Sequence, residues 1–310
     1  AVGLPELGHI VENRRIIDAA WARLADAEMF CPARFEALEV ADEAVRLRLD
    51  DGRELAAALV VGAEGAGSPV RDMAGILTAG WGYAQRCTVG NVTTARSHRA
   101  IAWQRYTPTG PVAFLPLADG RCSLAWHADD ALAAELAGLD DNAFCARLTE
   151  ASGGVLGEVQ AIAARASFPL RLMHATEYVR PRVALVGDAA HVLHPMAGQG
   201  ANLGLMDIAV LVDVLEAARS AGADLGDARR LRRYQRRRKV DNLAMLAATD
   251  LLKRLFGIND PAVARLRDRG IAATQALAPM KQWMIRQATG LGGKPPRLLQ
   301  ESDGAMFSKG

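Results

Sequence analysis

The chain has 310 residues, half of them apolar and 23% charged, a composition that excludes disorder, collagen or a coiled coil as the main state. Its 37 basic and 35 acidic residues leave a formal charge of +2, too balanced for the electrostatic footprint of a nucleic-acid-binding protein. That length corresponds to about two domains with a substantial core. Only five of the basic residues are lysine, which reflects codon usage before function. The four cysteines, Cys31, Cys87, Cys122 and Cys145, show no C-x-x-C spacing; they read as reduced, buried side chains in a cytosolic protein, and no metal site is expected. No apolar run approaches the ~20 residues that span a bilayer.

In chain order, residues 10–28 predict a helix, with Ile16, Ile17, Ala20 and Leu24 at helical spacing. Residues 35–40 and 44–49 alternate as strands, and Asp51-Gly52 marks a tight turn after them. Residues 55–61 read as one continuous buried strand, running into a glycine-rich turn at 62–68. From 77 to 127, strand-like pieces at 87–92, 100–106 and 123–127 alternate with Pro and Gly, which predicts an antiparallel sheet. Residues 129–150 predict one helix, and 168–173 and 176–179 further strands. Residues 183–187 form a second buried strand closed by Asp188, followed by a loop through 194–200. Residues 201–219 are apolar on nearly every face, as in a buried helix. From 226 to about 290 the pattern is helical and basic, and 291–310 are expected to be loose.

The segment 182–215, RVALVGDAAHVLHPMAGQGANLGLMDIAVLVDVL, carries the most chemistry. A buried strand delivers Gly187 and Asp188 to the carboxyl edge of a sheet, where α/β proteins bind ligands. A carboxylate there accepts hydrogen bonds from a polyol. Ala189, Ala190 and Ala197 leave room for a planar group, and Gly198 and Gly200 let backbone N–H groups approach it. A helix starting near Ala201 brings partial positive charge that stabilises an anion. The plainer alternative is a helix packed on a strand, with glycines needed only for the turn.

G-D-A-A-H with H-P-x-x-G-Q-G-x-N-x-G-x-x-D resembles the second flavin-binding motif of class A flavin-dependent aromatic hydroxylases. It is similar in particular to the branch acting in ubiquinone biosynthesis (UbiH/UbiF/VisC type). Residues 60–71, VVGAEGAGSPVR, resemble that family's middle motif, with Glu64 where the motif has Asp, and with Gly65 and Arg71 in place. GHIVENR (8–14), AWQRY (102–106), GPVAFLPL (110–117) and YQRRRKVDN (234–242) add to the likeness. The G-x-G-x-x-G of a first βαβ unit, which binds a dinucleotide pyrophosphate, does not occur in the sequence. Two readings follow: a piece of a hydroxylase that begins downstream of that unit, or a natural short protein that keeps the fold without the cofactor.

The resemblance implies an α/β (α+β) fold like that of para-hydroxybenzoate hydroxylase. A truncated FAD-binding domain would comprise 1–75 and 176–225, an antiparallel substrate-binding sheet 76–175, and a C-terminal helical region 226–310. It implies an FAD-dependent monooxygenase that uses NAD(P)H and O₂ to hydroxylate the ring of a polyprenylated phenol or quinol. This chain alone would bind FAD weakly or not at all and be inactive. Asp188 is assigned to the ribityl chain. The loop from Pro195 through Gly198, Gln199 and Gly200, with Asn202, would line the isoalloxazine ring, and the helix N-terminus at Ala201 would support charge on its pyrimidine side. Gly187 belongs to the same cofactor-binding set, and Glu64, Gly65 and Arg71 lie beside flavin and nicotinamide. No motif demands a catalytic acid or base; His191 and His194 are either proton carriers or structural histidines. Trp103, Phe114, Leu115, Pro116 and Trp126 are candidate walls of a substrate pocket, or else ordinary sheet core. The run 229–239, with eight basic residues and no acid, is either a solvated face or a patch for the inner membrane surface. A ubiquinone-biosynthesis complex is a further candidate partner. The competing readings are a hydroxylase of another aromatic substrate and a non-catalytic lipid- or quinone-binding or assembly protein.

Overall fold

The computed structural model describes residues 8–195 and 198–258, together with Arg265, Gln282 and residues 295–300. Most of the expected helical stretch beyond 258 and of the loose tail lies outside the described residues. After a short helix α1 (Asn13–Trp21), strands β1 (Phe35–Val40), β2 (Val45–Leu49) and β3 (Glu54–Ala57) form an antiparallel meander. The alternation of β2 is complete: Val45, Leu47 and Leu49 are buried while Arg46 and Arg48 are exposed. Helix α1 is shorter than the 10–28 expected and has no buried residue.

The expected single strand at 55–61 is in fact two. Its first half is β3, and after a break at Ala58-Leu59 the chain enters β4 (Val60–Gly62), which belongs to another sheet. An apolar run cannot show this, because both halves bury apolar residues against one core. Strand β4 lies parallel to β11 (Val183–Leu185), with Val60 opposite Val183 and Gly62 opposite Leu185; β10 (Val179–Arg180) pairs antiparallel on the other side of β11. The two motif strands are therefore neighbours although their paired residues are 123 positions apart in sequence, and their following turns leave the same edge.

Arg182 ties the meander to this sheet. Its buried guanidinium donates to the carbonyls of Ala41, Asp42 and Ala58 and pairs with Asp224. Gly226 must lack a side chain there, since a Cβ would fall 2.4 Å from the guanidinium.

The third sheet has six strands in the order β12-β9-β5-β8-β7-β6. Its centre is two 17-residue strands, β5 (Thr78–Thr94) and β9 (Val159–Ala175), flanked by β8 (Cys122–Asp129), β7 (Gly110–Pro116), β6 (Trp103–Thr107) and the short β12 (His191–Val192). The pieces read at 87–92, 100–106 and 123–127 fall on three of these strands. Register fixes two faces. Val112 lies opposite Trp126, Phe114 opposite Leu124 and Trp103 opposite Phe114; this face packs on α3 (Asp130–Gly138) and α4 (Asp141–Ser152). Ala113 lies opposite Ala125, and Cys87 opposite His127, on the other face. The one helix expected at 129–150 is broken at Leu139-Asp140, because the Asp140 carboxylate caps a new helix by accepting from Ala143 N–H.

Helices α5 (Gly200–Ser220) and α6 (Ala228–Gly257) pack on the parallel sheet. Against expectation α5 is not buried all round: Val210, Leu211 and Val214 face the core, while Leu205 and Ile208 are exposed. Tyr234 on α6 donates its hydroxyl to the Leu185 carbonyl at 2.6 Å. Gln235 accepts from Tyr178 N–H at 2.7 Å.

Phe144 of α4 is fully buried, edge-on to Trp126 at 5.6 Å and under the Arg165 guanidinium. Phe144→Ala should cost about 3–5 kcal/mol of unfolding free energy, read as an earlier midpoint in urea; an unchanged midpoint would contradict this packing.

Candidate functional site

Both motif turns lie at the carboxyl edge of the β4–β11 pair. Gly187 opens the second turn with φ +58°, and its Cα approaches Gly204 on α5 so closely that a Cβ on Gly204 would sit 3.2 Å away. That contact sets where α5 begins. The helix starts at Gly200 behind Gln199, which makes no side-chain cap, and its first turn holds no acid. Its amino-terminal partial charge is therefore not neutralised from within the helix. Gly198, with φ +61°, Ala201 and Asn202 are exposed around this end, and Pro195, Gln199 and Gly200 are half-buried. Asn202 donates to the Gln199 side chain at 3.4 Å. Asp188 is exposed at the same edge. The bulk around its carboxyl raises its pKa above the ordinary carboxylate value, with His191 and Arg171 pulling the other way. Met196 and Ala197 lie outside the described residues.

The first turn is braced from within. Ser68 caps α2 (Pro69–Met73) by accepting from Arg71 N–H at 3.1 Å, and Glu64 supports that cap by accepting from Ser68 Oγ at 2.8 Å and from Val70 N–H at 3.1 Å. Gly65 takes φ +82° in the same turn. Arg71 is buried; it donates to the carbonyls of Ala66 and Ala189 and pairs with Asp72. It thus links the first motif to the residue after Asp188 rather than presenting its charge to a ligand.

Beneath both turns lies the Asp207 carboxylate, fully buried on α5. One oxygen accepts from Arg238 Nε at 2.7 Å and Asn242 Nδ2 at 3.1 Å. The other meets His191 Nε2 at 2.6 Å and accepts from Gly187 N–H at 3.1 Å. Burial alone would raise this carboxyl's pKa; the hydrogen bonds and charges of His191 and Arg238 outweigh it and hold the pKa below the ordinary value. His191 is thereby held against Asp207 through Nε2. Arg238, expected in a surface run, is instead inside the core, because α6 turns Leu231, Tyr234, Arg238, Asn242 and Leu246 inward. Sequence reading had Asp207 only as the last residue of the second motif and Arg238 only as a member of the basic run, and did not pair them. The signal was there: a carboxylate on an apolar helix needs a partner.

The five candidate pocket residues divide by strand alternation. Phe114 and Trp126 belong to the core between sheet and helices. Trp103 and Phe114, with Gln104, Arg105, Val112, Ser152 and Val155, line a cavity of about 230 Å³. Pro116 shares their face, while Leu115 lies on the opposite face with His127. On that side His194, at the head of the motif loop, packs edge-on against His127 and Tyr83, with ring centroids 5.1 and 4.8 Å apart. The walls nearest the motif loop are therefore Tyr83 and His127, neither of which the sequence singled out.

Residues 14–248 match the family model described as FAD binding domain. The chain is 43% identical over 300 residues to the ubiquinone hydroxylase UbiL of Rhodospirillum rubrum, covering 95% of this chain and 70% of that protein. It is 40% identical over 291 residues to the 3-demethoxyubiquinol 3-hydroxylase of Escherichia coli, covering 93% and 74%. The chain belongs to the FAD-binding family of ubiquinone hydroxylases. The members it matches are hydroxylases and monooxygenases, so this is a flavin-dependent oxidoreductase family. The same fold occurs in the anhydrotetracycline hydroxylase OxyS of Streptomyces rimosus, with a TM-score of 0.70 and 23% identity; 91% of this chain is covered, and it spans 56% of that one. The residues present fit a flavin: the glycine contact of 187 with 204, the acid-free end of α5 and the exposed Asp188 make an open cradle at one edge.

Asp207→Asn leaves the buried Arg238 with only the exposed Asp241, 3.2 Å from its Nη1, as counter-charge and should cost up to about 3 kcal/mol at neutral pH. Because the folded pKa lies below the unfolded value near 3.8, the ionic contribution is complete above that pH and is lost as pH falls through the folded pKa. The urea midpoints of the two proteins should begin to converge below about pH 4 and meet only once the pH is below the folded pKa. A constant difference down to the acid limit would show that the charge is not the cause.

Proposed function

We propose that this chain serves an FAD-dependent monooxygenase that hydroxylates the aromatic ring of a polyprenylated ubiquinone precursor, with NAD(P)H as reductant and O₂ as co-substrate. The observation that carries this reading is the parallel pairing of β4 with β11, which brings both motif turns to one edge beside the start of α5. Bound FAD would supply the oxygen-activating chemistry. The chain's own part is positional. Asp188 accepts hydrogen bonds from the polyol chain. Gly198, Gln199, Gly200 and Asn202, with Pro195 and Ala201, lie along the ring. The backbone N–H groups opening α5 stabilise negative charge on its pyrimidine side. Glu64, Gly65 and Arg71 hold the neighbouring turn in shape.

All of these groups address the ring and polyol rather than the adenosine half. Riboflavin should therefore perturb like FAD: absorbance from 300 to 550 nm should shift saturably with either flavin, with dissociation constants within about tenfold of each other, equivalent to 1.4 kcal/mol. Gly204→Val, which pushes α5 off Gly187, should abolish both shifts. Without the pyrophosphate-binding unit both flavins should bind weakly, and no spectral change with either one at millimolar concentration would overturn the assignment.

The precursor's polyprenyl tail calls for access to lipid, and α6 has a surface suited to it. Arg229, Arg232, Arg233 and Arg236 lie on one exposed face, and Val240, Leu243 and Leu251 continue that face, exposed in turn. Of the rest of the basic run, Arg238 is buried and Arg237 pairs with Asp213 at 3.2 Å. A basic stripe running into an apolar one matches an anionic bilayer surface. No described helix is long and apolar enough to cross a membrane. Flotation with anionic liposomes should recover the protein, and Arg232→Gln, Arg233→Gln and Arg236→Gln together should reduce recovery several-fold. Equal recovery would remove the membrane contact.

A further inference from the structure

Three ring nitrogens where the motif loop meets the six-stranded sheet lack partners, as do Nδ1 of His191 and Nε2 of His174 on the neighbouring strands. Nδ1 and Nε2 of His194 and Nδ1 of His127 are buried and make no hydrogen bond to any described residue. The two residues are 1% and 3% exposed. An unpaired buried polar atom costs about 1–3 kcal/mol, and native structures satisfy nearly all of them. Packing alone does not account for the cluster, because a phenyl ring would fill the same edge-on contacts without the penalty. Tyr83 cannot serve the imidazoles from its hydroxyl, which is held by Asp250 at 2.9 Å.

The chemistry of the pair is narrow. Burial lowers His127 to about 4, and burial, with His127 and Lys253 nearby, lowers His194 to about 3. Both are neutral near pH 7, so each offers one donor and one acceptor. Such a pair matches a hydroxyl, which both gives and accepts a hydrogen bond. It offers no positive charge to a carboxylate. Beside His127 the sheet face opens. Ala125 and Val89 are half-buried, and Phe168, across from Cys87, is 44% exposed. Apolar throughout, with Ala125 and Val89 small and Phe168 at its side, this floor suits the face of an aromatic ring.

We propose that His127 and His194 are the pair that recognises a neutral hydroxyl of the aromatic substrate, whose ring lies on the open sheet face over Val89 and Ala125. This rests on the monooxygenase reading above and assigns its substrate-selecting residues: phenols and quinols are accepted, and rings whose only polar group is a carboxylate are not.

The test uses the full chain, labelled with ¹⁵N, and three probes: 2-methoxyphenol, 1,2-dimethoxybenzene and 2-methoxybenzoate. 2-Methoxyphenol should bind at least tenfold more tightly than either of the others and move the ring-nitrogen resonances of His127 and His194. His194→Phe keeps the ring contacts and should reduce phenol affinity to that of the ether; His127→Phe should do the same, and carries the mutational arm should the first variant not fold. Equal binding of phenol and ether, a preference for the benzoate, a phenol preference that survives both substitutions, or no phenol binding at millimolar concentration would each overturn the proposal. Flavin binding without phenol preference removes this inference alone, whereas phenol preference without flavin binding removes the monooxygenase reading and leaves the subsite.

Discussion

The arrangement of the site depends on one buried carboxylate. Asp207 has no access to water, and an unpaired charge there would be prohibitively costly. It is tolerable only because four groups converge on it: Gly187 N–H, His191, Arg238 and Asn242. They come from the turn after β11, from β12 and from α6. The need to satisfy both oxygens at once therefore fixes how two helices sit on the sheet edge. The position of α5, and with it the glycine-rich loop at its start, follows from that need and from the contact between Gly187 and Gly204.

Around this centre two arginines brace the backbone. Arg71 joins the two motif turns through the carbonyls of Ala66 and Ala189, and Arg182 joins the meander to the parallel sheet through those of Ala41, Asp42 and Ala58. Each replaces water around carbonyls that irregular chain would otherwise leave unsatisfied. Charge is used here to hold loops rather than to bind ligand, leaving the exposed edge to Asp188 and to backbone groups.

The six-stranded sheet separates stability from recognition by its two faces. The face with Val112, Phe114, Leu124 and Trp126 is sealed by α3 and α4. The opposite face carries His127, Ala113, Ala125 and Cys87 toward the motif loop. Large aromatic residues fill the sealed face, where packing dominates; the other carries His127 among small side chains, with Leu115 and Phe168 flanking them. The candidate walls named from sequence were large apolar residues, which is why most of them fall on the sealed side.

The sequence by itself determined strands β1 and β2 and the tight turn after them, the antiparallel character of 77–127, both glycine-rich turns, the helix after the second of them, and the family. These are local signals: period-two alternation, turn residues and short motifs read within a dozen positions. Only the tertiary structure decided that residues 55–61 serve two sheets, that Asp140 divides a helix, that Arg238 points into the core, and that Leu115 and Phe114 lie on opposite sides of one strand. Alternation shows that neighbouring residues part company, but not which layer each one meets. A run of arginines shows its charge, but not which member finds a buried carboxylate 31 residues away. Those outcomes depend on pairings between distant segments, where the cost of desolvating a charge or exposing an apolar face is settled by the whole packing arrangement.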